Sequence, residues 1–153
     1  MIEADLENKL KTKIAAVFEA AGITDIQIVG SLDVAEIKSA EEDGRTGCLA
    51  VKMQPRSYPS PTVPECTVNA ALALTVRADV DYGGHKYLEI MDTLMNQFQK
   101  WQQCLDEAHE DFTTPGFEMT GFVLNDGSTA IDRSAVIFQY SHSFTLYGII
   151  NNN

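Results

Sequence analysis

The sequence predicts an α+β domain: a mainly antiparallel sheet with two long strands, and two helices packed on one face. Three observations predict it. CTVNAALALTVRADVD, residues 66–81, alternates strictly, with Cys66, Val68, Ala70, Leu72, Leu74, Val76, Ala78 and Val80 on one side. That is the mark of a strand with one face on a core. RSAVIFQYSHSFTLYGI, residues 133–149, repeats the alternation. Residues 4–21 and a second stretch reaching about 105 instead space their apolar residues by three and four, the period of an amphipathic helix.

The first helix carries Leu6, Leu10, Ile14, Val17, Phe18 and Ala21 on one stripe, and Gly22 is its natural stop. DIQIVG (25–30) reads as a short strand, residues 31–46 as mostly loop, and GCLAVKMQ (47–54) as a strand with Leu49, Val51 and Met53 on one side. PRSYPSPTVP, residues 55–64, then holds four of the five prolines. Proline lacks an amide hydrogen and fixes φ, so this segment is excluded from interior sheet and helix. It predicts a stiff, exposed tip joining 47–54 to 66–80 as an antiparallel hairpin, with Gln54 facing Glu65 and Cys48 near Ala71.

Glycines at 83–84 break the chain before the second helix, whose stripe is Tyr87, Ile90, Met91, Leu94, Phe98, Trp101 and Leu105. An acidic loop (106–116), a strand (117–125), a turn at Asp126-Gly127 and the long closing strand complete the order. The chain predicts one domain over 1–150, with the three closing asparagines a frayed tail.

Composition excludes several functions. At 44% apolar and 22% charged residues the chain is of ordinary globular make-up, and no apolar run approaches the ~18 residues of a membrane span. The opening MIEADLENKLK is acidic where a secretory leader is basic and then apolar, which predicts a protein made and kept in a cytoplasm. A net charge of −11 disfavours binding to phosphate backbones. Trp101 to Asp132 holds seven acidic residues and no Lys or Arg. That run reads as a solvated face or as a surface that repels anions.

Cys48, Cys66 and Cys104 form no Cys-x-x-Cys pair and read as buried reduced thiols. His142 falls in the apolar phase of the last strand, which reads as a core or interface histidine. His109 sits among Glu107, Glu110 and Asp111 in a spacing that matches neither a calcium loop nor His-Glu-x-x-His. No Gly-x-Ser-x-Gly occurs, and Gly83-Gly84 with Lys86 is too short for a phosphate cradle. No catalytic, cofactor or metal site is predicted.

Strand length is then the feature left to explain. Residues 67–80 would span roughly 45 Å, three times the ~15 Å radius of gyration of a domain this size. A strand reaching past its own core leaves unpaired backbone and a half-buried face, which a neighbouring chain could cover. Ala71 and Ala73 put small side chains on the polar face, and the tip adds Tyr58 and Val63 beside Pro59 and Pro61. These six residues are the predicted assembly surface.

The order of elements resembles the tail-terminator and tail-completion proteins of tailed bacteriophages, which act at the head–tail connection. The resemblance rests on VNAALALTVRADVD running through Gly83-Gly84 into HKYLEIMDTLMNQFQKW, and on the closing GFVLNDGSTAIDRSAVIFQYSHSFTLYG. It spans nearly the whole chain as a pattern of elements; residues 31–46 and the proline tip stand outside it. It implies a non-enzymatic virion protein, assembled in the host cytoplasm, forming a ring (commonly hexameric) that caps the tail tube where the head joins. Its implied partners are further copies of itself, the tail tube protein and head-completion or neck proteins. DNA would pass through without specific binding, and neither cofactor nor membrane is implied. Two other classes stay open on sequence: another neck component or monomeric adaptor, and a small enzyme or ligand-binding domain with scattered site residues.

Overall fold

The computed structural model describes residues 1–30, 47–60, 62–77, 85–125, 127–132 and 137–151. Along them run α1 (Ile2–Ala20), β1 (Ile26–Gly30), β2 (Gly47–Met53) and β3 (Glu65–Arg77). Then come α2 (His85–Gln103), α3 (Leu105–Phe112), β4 (Phe117–Leu124), β5 (Ser128–Asp132) and β6 (Ile137–Ile150).

α1 buries Leu6, Leu10, Ile14 and Phe18, each four residues from the next, which makes one stripe. It stops at Gly22, whose φ of 76° is a left-handed conformation open to glycine. There the Gly22 amide donates to the Glu19 carbonyl and the Ile23 amide to that of Phe18. This reciprocal pair satisfies two terminal carbonyls, and it brings buried Ile23 back to buried Phe18.

The sheet runs β1-β2-β3-β6-β4, with β5 also paired to β6. All pairings are antiparallel except β1 with β2, which is parallel. The expectation of an α+β domain with a mainly antiparallel sheet therefore holds, the one parallel pairing being β1 with β2. The residues Cys66, Val68, Ala70, Leu72, Leu74 and Val76 of β3 are buried in one core with Leu49, Val51, Phe144 and Leu146. α1, α2 and α3 bring Leu6, Leu10, Ile90, Leu94, Trp101 and Phe112 to that same core. Phe98, Trp101, Phe112, Phe122 and Phe144 form its aromatic centre, Trp101 meeting Phe112 edge-on at 4.7 Å between centroids. Each such pair adds roughly 0.5–1.5 kcal/mol beyond the area it buries.

Three expectations are corrected. Residues 105–112 form α3, where an acidic loop was expected, because Ala108 and Phe112, four apart, are both buried. The hairpin of β2 and β3 is displaced by four residues: Cys48 faces Thr75 and Met53 faces Ala70. Its tip folds back along β3, the Gln54 amide donating to the Asn69 carbonyl, so the crossing point lies deeper in the loop. The Asp126-Gly127 signal does not open the closing hairpin either. β4 pairs with residues 144–150 of β6 and β5 with 137–141, so the two strands lie end to end along one edge and Gly127 falls in the gap. A side chain at Gly127 would collide with the His142 imidazole, which is the local demand for glycine there. At the end of the described chain, the Asn151 amide donates to the Gly116 carbonyl at 2.9 Å. The expectations for 31–46, Ala78, Val80, Gly83-Gly84 and Val136 fall outside the described residues.

Candidate assembly surface

The length of β3 is met within the chain. All thirteen of its residues pair with β6, from Glu65 with Ile149 to Arg77 with Ile137. On its other side β2 covers Ala70 to Val76, and the tip covers Asn69 and Thr67. The expectation of unpaired backbone along a projecting strand is therefore corrected. A long strand needs an equally long partner, and β6 is that partner.

Among the described residues, no helix packs on the other sheet face. Its rows can be read from the register. Lys52, Ala71 and Ser143 lie side by side, as do Ala50, Ala73 and Ser141. Asn69, Thr145 and Val123 form the next row, and Thr145 Oγ1 donates to Asn69 Oδ1 at 2.7 Å. Ser57, Thr67, Tyr147 and Gly121 follow, then Glu65, Ile149 and Glu118. Ala71 and Ala73 are thus half-buried in the middle of this face. On its β1–β2 side, Val29, Cys48 and Ala50 form a small buried cluster of their own.

The proline tip borders the last two rows. Ser57 exchanges two hydrogen bonds with Thr67, at 2.8 and 2.9 Å, and the Pro64 carbonyl accepts from the Ile150 amide at 2.8 Å. Arg56 anchors the tip to α1: its Nε lies 2.7 Å from Glu3 Oε1, and its backbone amide donates to that same oxygen. Tyr58 and Val63 remain 50% and 42% exposed and Pro59 is exposed, whereas Pro61 lies outside the described residues. The structure thus sets Tyr58, Pro59 and Val63 at one end of β3 and the two alanines at its middle, as separate patches along one strand.

Sequence reasoning passed over Tyr147, Ile149 and Val123, all large, apolar and exposed. A signal was present. Tyr147 and Ile149 continue the odd-numbered phase of Ser141, Ser143 and Thr145, the phase that points away from the core.

The acidic run divides in two. Glu107 lies 3.7 Å from the Lys13 ammonium and 3.3 Å from that of Lys100, and Asp111 lies 3.5 Å from Lys13. Those two carboxylates bind α3 to α1 and α2, which corrects the reading of a wholly solvated face. Glu118 sits 3.4 Å from His109 on the surface. His142 is buried against the Tyr140 hydroxyl and the ring of Phe98, a core position. Cys48 and Cys66 are buried, but Cys104, between α2 and α3, is exposed, against expectation. Burial pushes the Cys66 thiol up from its ordinary 9.0; Arg56 nearby opposes that shift, and Glu3 adds to it. Among the described residues no helix is long and apolar enough to cross a membrane, and no three His, Cys, Asp or Glu side chains gather as metal ligands.

The arrangement defines an α+β domain whose described helices all lie on one face of the sheet. No protein-family model matches the chain, and no curated protein matches it. Among solved structures it is similar to a chain of the "Virion of native gene transfer agent (GTA) particle". The two superpose with a TM-score of 0.50 at 10% sequence identity, over 94% of this chain and 91% of that one. At that identity the likeness is one of fold.

Proposed function

We propose that this protein is a structural component of a phage-like virion, forming a ring that terminates the tail tube and joins it to the head. The observation that carries the reading is the likeness of fold to a virion chain over nearly the full length of both. The tip supports it, since a subunit that works alone gains nothing from exposed Tyr58 and Val63 on a proline loop. The net charge of −11 supports a ring through which DNA slides without sticking. In this reading the protein has no catalytic role, its neighbours are its own copies, the tail tube protein and neck proteins, and the ring is hexameric.

Light scattering on the purified protein, alone and with tail tubes, tests the ring. A species of six times the 16.8 kDa chain, in either sample, is the expected result. A 16.8 kDa monomer at every concentration, with no ring on the tubes, would overturn it.

A further inference from the structure

Three of the eight large apolar side chains exposed among the described residues, Val123, Tyr147 and Ile149, lie on successive rows of one sheet face. There the start of β3, the end of β6 and β4 meet on the face away from the helices. Such a concentration marks an interaction surface. Its centre is rigid. Gly121 lies opposite Tyr147, and a Cβ built on it would stand 3.3 Å from Tyr147 Cβ and 3.5 Å from Cδ2, so the ring rests on bare backbone. A half-exposed aromatic held in this way is a ready anchor, with little rotamer freedom left to lose on binding.

The charges beside it select the occupant. Ile149 has Glu65 as one cross-strand neighbour and Glu118 as the other. Both carboxylates are exposed, and among the described residues Glu65 has no ion pair while Glu118 has only His109. Cross-strand neighbours lie about 5 Å apart, so two negative groups flank an apolar side chain one row from an aromatic face. A cation set among apolar groups satisfies every member: carboxylates bind a guanidinium or ammonium, and the electron-rich ring face attracts it. A second copy of this chain is a poor source, with 22 acidic against 11 basic residues.

The geometry points to this corner as the docking surface for another protein, one presenting an arginine or lysine between apolar side chains. The inference goes beyond the ring reading and does not rest on it.

Methyl NMR of Val123 and Ile149, legible in a monomer or a large assembly, tests it with two probe peptides, acetyl-Ile-Arg-Ile-amide and acetyl-Ile-Gln-Ile-amide. The arginine peptide is expected to shift both methyls saturably and to bind more tightly than the glutamine peptide. Glu65→Gln with Glu118→Gln, surface changes that leave the circular dichroism unaltered, should weaken the arginine peptide about fivefold and leave the glutamine peptide unchanged. Equal binding of the two peptides, shifts confined to other parts of the molecule, or no saturation would overturn the proposal. So would shifts of the same methyls with rising protein concentration and no peptide, because a second copy would then be the occupant.

Discussion

The indole N–H of Trp101 donates to Asp111 Oδ2 at 2.7 Å, and that same oxygen lies 3.5 Å from the Lys13 ammonium. One carboxylate therefore joins α2, α3 and α1 above a tryptophan that is fully buried. Asp111→Ala should strand a buried donor and lower stability by about 2 kcal/mol, which for a chain of this size is roughly 4–8 °C in melting temperature. Asp111→Asn keeps an acceptor and loses only the attraction to Lys13, so it should cost less. Equal melting of wild type and Asp111→Ala would show that the bond contributes nothing.

Leu94, 1% exposed in the middle of α2, lies in the main core. An unpaired carboxylate there costs several kcal/mol against a total stability of ~5–15 kcal/mol, so Leu94→Asp should abolish soluble folded protein. Circular dichroism of any soluble fraction is the check, and a native spectrum with native melting would contradict the placement of α2.

The three thiols should react unequally. Ellman's reagent on the native protein is expected to modify one group rapidly, Cys104, and all three after denaturation without reductant. A single reactive group after denaturation would mean that a disulfide exists. The buried Cys66 thiol is raised in the folded state, so its contribution to stability is complete below the ordinary value of 9.0 and is lost as pH rises toward the folded value. Cys66→Ala should therefore show a shallower fall in melting temperature above pH 9 than wild type. A parallel fall in the two proteins would contradict the shift.

Replacing the whole tip would disturb more than its surface, because Arg56, Ser57 and Pro64 each hold it to the sheet or to α1. Tyr58→Ser with Val63→Ser is the cleaner change, as both side chains are exposed. The double variant should melt within about 0.5 kcal/mol of wild type, as surface changes do, and should weaken ring formation or attachment to tails. Normal rings on normal tails would remove the tip from the assembly surface.

Sequence made the local elements legible where the period was strong. The β3 alternation and the α1 stripe ending at Gly22 came through because burial on one face dictates the residue every second or every third and fourth place. Non-local features did not. The parallel pairing of β1 with β2 leaves no trace in either strand, and the four-residue displacement of β2 on β3 arises from a tip that folds back on Thr67 and Asn69. α3 was masked by its charge, since Glu107 and Asp111 read as solvated until Lys13 and Lys100 stand beside them. Of the assembly surface, Tyr58 and Val63 were readable as apolar side chains on a proline loop. Tyr147 and Ile149 were hidden in a strand whose outward phase changes from polar to apolar only at its end.

The central claim, a virion protein at the junction of tail and head, meets its most direct test in electron microscopy of purified particles labelled with antibody against this chain. Label confined to the junction, one site per particle, is the predicted result. Particles that carry no label while the free protein is labelled in the same preparation would contradict the account.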